Sequence, residues 1–267
     1  MKRGSEMTAE KATAQEATRK VAFAKVLAIQ IIAYVVLVAL ALVPGMMYGD
    51  AAKPAAVPFT IIASLAMVVL LVVFSPFRDG VAGHVIAAIA GLLSAICATT
   101  VMLGNVIFPA GLDGGKSFSM EEAWIAGVGG LLIVLIIVSF GRQMARENRT
   151  HLIRSLSHSV VEGVAMIASA GWCFLPVLLP TTHSRAAAMS AASGVTVDMF
   201  SNVTTTWVVA AIVTVLVAVA LTVCSYFWHR DADPEPDARS PWIGLALLPV
   251  MLTGLAVGLA ALAIVVL

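Results

Sequence analysis

Residues 123–141 read AWIAGVGGLLIVLIIVSFG, a run without one charged side chain. A helix needs about 20 mostly apolar residues to cross a hydrocarbon layer roughly 30 Å thick. This run has that length, and it lacks the period-2 alternation of a barrel strand. A helix start precedes it. Ser119, followed three residues later by Glu122, makes a capping box, and Glu121 and Glu122 suit the positive end of the helix dipole.

Working outward, six more segments qualify: 23–44, 57–76, 84–108, 159–180, 203–228 and 242–267. Pro44-Gly45, Pro76, Pro109 and Pro180 close four of them, because proline removes a donor and clashes with the preceding turn. Asn202 is placed to cap the sixth. Only 12% of the chain is charged, about half the roughly 25% of a soluble domain. Too little polar surface remains to solvate a globule of this size, so the solvent is lipid. The predicted fold class is all-α: a polytopic transmembrane helix bundle of seven spans. Residues 1–22 form a cytoplasmic lead-in, Ala-rich and helical over 5–22, and 23–267 a single transmembrane domain.

Basic residues set the direction. With the N-terminus inside, the cytoplasmic segments hold Lys2, Arg3, Lys11, Arg19, Lys20 and Lys25, then Arg78, then Arg142, Arg146, Arg149 and Arg154, then Arg230 and Arg239. That is thirteen of the 16 basic residues; Lys53, Lys116 and Arg185 fall outside. A wrong span count would invert every later loop and spoil the separation. The arrangement predicted is N-in and C-out, in the cytoplasmic membrane. The apolar part of the first span exceeds the roughly 7–15 residues of a signal-peptide core, so it is expected to stay.

Packing follows from small residues, since lipid gives helices no hydrophobic reason to associate. Gly83, Ala87, Gly91, Ala95 and Thr99 recur at four-residue intervals in the third span, which predicts that helix at the centre of the bundle. Gly254 and Gly258 make a GxxxG pair in the seventh, serving packing within the bundle or, alternatively, a homodimer. The Leu/Ile/Val-rich fourth span is expected to face lipid. The five tryptophans mostly fall near span ends, as an aromatic belt would. Pro176 and Pro249 interrupt apolar runs and should each free a carbonyl.

Most catalytic chemistry is excluded. There is no GxxxxGK[ST] loop, no HExxH and no GxSxG, and the seventh span has no lysine. Cys97, Cys173 and Cys224 lie singly in apolar runs, where they read as packing residues rather than disulfides or metal ligands. No metal or cofactor is expected. No long basic tract invites nucleic acid. The acidic stretch DADPEPDARSP at 231–241 lacks the glycine and ligand spacing of a calcium loop and reads as a stiff linker.

Two features remain. Arg142 to His158 is predicted as an interfacial amphipathic helix, with Ala145, Leu152, Leu156 and Val160 on one side and Arg142, Arg146 and Arg149 on another. Those arginines, with Arg154, would meet anionic lipid headgroups; the plainer reading is charge that sets topology. Glu162 lies one turn inside the fifth span, with His158 one turn earlier on the same face, and His84 opens the third span from the same side. A carboxylate with a histidine can relay a proton, hold a cationic group or share a metal; the plainer reading is a structural pair. A transporter or permease-type component ranks first, a scaffold or accessory subunit bound to a membrane partner second, and a membrane-embedded enzyme acting on lipid third.

Overall fold

The computed structural model describes residues 23–42, 52–77, 80–101, 119–145, 152–178, 202–231 and 240–266. They form α1 (Phe23–Leu42), α2 (Ala52–Val73), α3 (Gly80–Thr99), α4 (Met120–Met144), α5 (Leu152–Ser169), α6 (Asn202–Asp231) and α7 (Pro241–Val266). A 3-10 segment (Ala170–Phe174) and a closing α turn (Leu175–Leu178) continue α5. Among the described residues, six helices are long and apolar enough to cross a membrane, and Pro58–Val73 is a shorter apolar seventh. The protein is a multi-pass helical membrane bundle of about seven spans. The lead-in, Pro44, Gly45, Pro109, Pro180, Arg146, Arg149 and the 232–239 linker lie outside the described residues.

The helix ends follow from local chemistry. At α4 the capping box is closed in both directions: Glu122 N–H donates to Ser119 Oγ at 3.2 Å, and Ser119 N–H donates to Glu122 Oε2 at 2.8 Å. Within the fifth span, Pro176 has no N–H to offer the Trp172 carbonyl. Leu175 N–H donates to that carbonyl instead, which tightens the turn into 3-10 geometry.

Cross-helix contacts fix the alternation. α3 and α5 run parallel, with His84 on Glu162 and Ser94 on Ile167. α1 and α7 run parallel, with Lys25 beside the Trp242 ring and Tyr34 on Thr253. α2 opposes α7: Phe74, at the end of α2, meets Gly244, near the start of α7.

The third span is not the centre. In its spanning window 44% of residues are buried, against 78% for the fifth span and 61% for the seventh. α3 has one buried stripe (Ala87, Ala90, Ser94, Ala98) and one exposed face (Val85, Ile89, Leu92, Ile96), so it stands at the rim. A central helix needs small residues on every side. The fifth span has them in Ser159, Gly163, Ala165, Ala168, Ala170 and Gly171, and α2, α3, α4 and α7 all pack on it. The lipid face of α4 is as expected: Ile133, Val134, Ile136 and Ile137 are exposed, while Leu135 turns inward over Gly163.

Two tryptophans also depart from the belt. Trp124 and Trp172 are buried, because each indole N–H finds an acceptor inside the bundle. Trp124 Nε1 donates to Ser94 Oγ at 3.1 Å, and Ser94 Oγ donates to Ile167 O at 2.7 Å, tying α4, α3 and α5 together. Trp172 Nε1 donates to Val250 O at 2.9 Å. Gly254 and Gly258 are occupied within the chain: Gly254 lies against Ala168 and Trp172, Gly258 against the Trp124 ring.

Candidate functional site

Glu162 sits on the inner face of α5 and is 0% exposed. The polar residues Ser157, His158, Ser159 and Glu162 occupy the early turns of this helix; beyond Gly163 it is almost wholly apolar. Gly91 brings α3 close, since its Cα faces Met166 on α5 at a distance where even a methyl would crowd. That approach carries His84, just over one turn into α3, onto the carboxylate. His84 Nδ1 lies 2.8 Å from Glu162 Oε1 and 3.0 Å from Oε2. Both oxygens therefore share one ring nitrogen. The His84 side chain is 19% exposed, so the imidazole links a sealed carboxylate to the outside of the bundle.

An imidazole and a carboxylate in contact can pass a proton between them or together hold a cationic group, and a buried carboxylate needs such a polar or charged partner.

His158 shares the face of Glu162, but its ring lies against the Phe77 ring after α2, with centroids 4.9 Å apart and planes tilted by 38°. The fold thus joins Glu162 directly to His84 and sets His158 against the end of the second span. Spacing alone does not reveal Gln143, buried on α4 with Ser139 one turn before it. A signal exists once burial is known: Val128, Leu135, Ser139 and Gln143 continue one helical stripe at spacings of seven, four and four residues.

The arginines divide. Arg142 lies in the last turn of α4, which Ala145 caps. Arg154 belongs to the first turn of α5. The expected separate helix from Arg142 to His158 is therefore corrected at both ends: its flanks are continuations of two spans. The connecting residues 146–151 lie outside the described residues. Among the described residues, no three His, Cys, Asp or Glu side chains gather as metal ligands.

The chain matches no protein-family model, and it is similar to no curated protein and no solved structure.

Proposed function

We propose that this multi-pass membrane protein is a transport-type component of the cytoplasmic membrane, with Glu162 and His84 as its proton- or cation-handling pair. One observation carries the reading: a wholly buried carboxylate is bound through both oxygens to an imidazole from another span. Ionisable groups inside a membrane are costly and mark pathways for protons, ions or charged solutes. The 3-10 segment at Ala170–Phe174, farther along the helix that carries Glu162, adds support. Breaks of this kind mark hinges and line binding sites in transporters.

The test uses reconstituted proteoliposomes on a solid-supported membrane, challenged with jumps in pH and with a panel of cationic and neutral solutes. A transient current in the wild type, abolished in both Glu162→Gln and Glu162→Ala at normal abundance, is the expected result. If Glu162→Gln behaves as wild type and Glu162→Ala only lowers abundance, the pair is structural. A silent wild type that retains a partner protein through mild purification would replace this reading with a scaffold.

A further inference from the structure

A second polar strip runs between α1, α6 and α7, on helices that do not carry the Glu162 pair. Gln30 and Tyr34 stand one turn apart on α1. Gln30 is 1% exposed, and its Nε2 donates to Ser225 Oγ at 2.9 Å. Ser225 Oγ donates in turn to Thr222 O at 2.6 Å. Thr222 Oγ1 donates to Ala218 O at 2.8 Å, and Thr253 Oγ1 to Pro249 O at 2.8 Å. The Tyr34 hydroxyl meets Thr253 Oγ1 at 2.9 Å, where either oxygen can donate, and donates to Pro249 O at 3.4 Å. Every hydroxyl in the strip has an acceptor within hydrogen-bond distance.

One acceptor is left over. Gln30 Oε1 is buried and has no hydrogen-bond partner among the described residues. Rotating the amide by half a turn does not repair this. With the Ser225 Oγ hydrogen on Thr222 O, Nε2 faces Oγ as the donor; the reversed amide would turn that contact around and only exchange the unpartnered oxygen for an unpartnered Nε2. Buried carbonyl groups without a donor are exceptions in folded proteins. Inside a membrane no bulk water relieves them.

We propose that Gln30 Oε1 anchors a binding site for a small hydrogen-bond donor, either water or a compact cation of the ammonium class, held between α1, α6 and α7. Both sources present N–H or O–H hydrogens to the same oxygen. At about 1.5 Å per residue, Gln30 lies about 10 Å and Tyr34 about 16 Å along α1 from Phe23. The strip therefore reaches the middle of a layer about 30 Å thick. It offers a polar ligand oxygen partners at a depth where lipid offers none, and it does so whether or not Glu162 handles protons.

Glutamine-selective 15N labelling of the full chain in nanodiscs tests this, because only Gln15, Gln30 and Gln143 contribute side-chain amides. Gln30→Met assigns the Gln30 signals. Cross-relaxation between the Gln30 amide and water is expected for a water site. A saturable shift of the Gln30 signals in ammonium chloride, not reproduced by equal choline chloride, assigns the cation. That shift should come with a rise in thermal midpoint that Gln30→Met abolishes. If Gln30→Met fails to accumulate, Ser225→Ala assigns the signals by their displacement and should weaken the same contact. Resolved Gln30 signals with neither water contact nor an ammonium-specific shift would overturn the proposal.

Discussion

Gly171 and Gly254 decide how closely the fifth and seventh spans approach. A Cβ added to Gly171 would strike the backbone carbonyl of Gly254, and one added to Gly254 would strike the backbone carbonyl of Ala168. Backbone cannot step aside as a flexible side chain can. Gly163 faces only the methyls of Leu135, which can yield; Gly129 and Gly141 face open space. Overpacking of a close interior contact costs about 1–3 kcal/mol. Gly171→Ala and Gly254→Ala should therefore each lower unfolding free energy by about that amount. Gly129→Ala should leave it unchanged or raise it by up to about 1 kcal/mol, the helix propensity difference between the two residues. Reversible unfolding in mixed micelles measures all three. Equal stability of Gly254→Ala and Gly129→Ala would contradict the close approach. The same glycines explain why Trp124 and Trp172 leave the interface. Gly258 opens room for one ring and Gly254 borders the other, and buried acceptors on neighbouring helices complete the indoles.

At the level of elements, the segment that joins α4 to α5 carries Arg142, Arg146, Arg149 and Arg154 in sequence. Each basic group near an anionic surface is worth about 1 kcal/mol, and guanidinium forks match phosphate oxygens. Replacing Arg142, Arg146 and Arg149 together by Gln should reduce co-purified anionic lipid in native mass spectrometry without inverting the protein. Unchanged lipid retention would reduce these arginines to topology signals. The same two helices show what a sequence can and cannot disclose. The spans and the Ser119–Glu122 cap are legible because length, hydropathy and capping are local. Spacing along α5 pairs Glu162 with His158, whereas the fold pairs it with His84, 78 residues away. His84 becomes a partner only once topology places the starts of the third and fifth spans on one side. A stripe of small residues marks a helix that packs, but not how many neighbours it has; α3 has such a stripe and still sits at the rim. Gln30 is quieter still, one amide within an apolar run whose meaning depends on where Ser225 spends its hydrogen.

For the whole molecule, contact geometry and charge answer different halves of the orientation question. Lys25 beside Trp242, Phe77 on His158 and His84 on Glu162 group the starts of α1, α3, α5 and α7 with the end of α2 at one face of the bundle. These contacts say which ends lie together but not which compartment they meet. On the N-in reading of the sequence, thirteen of 16 basic residues lie in or beside the segments that flank those helix ends, and such residues are retained in the cytoplasm; that charge argument proposes the compartment. Both arguments depend on an odd number of crossings, so the far end of the chain is the place to test them. A fluorescent reporter fused after Leu267 should be dark and an alkaline phosphatase fused there active, since both report an outside location. The same reporters inserted within residues 146–151 should give the opposite pattern. The test is sharp because one missed or extra span exchanges the signal at Leu267. A fluorescent fusion there, with the N-terminus still cytoplasmic, would mean an even count. The second span, whose apolar core Pro58–Val73 is the shortest, would then be the helix that does not cross.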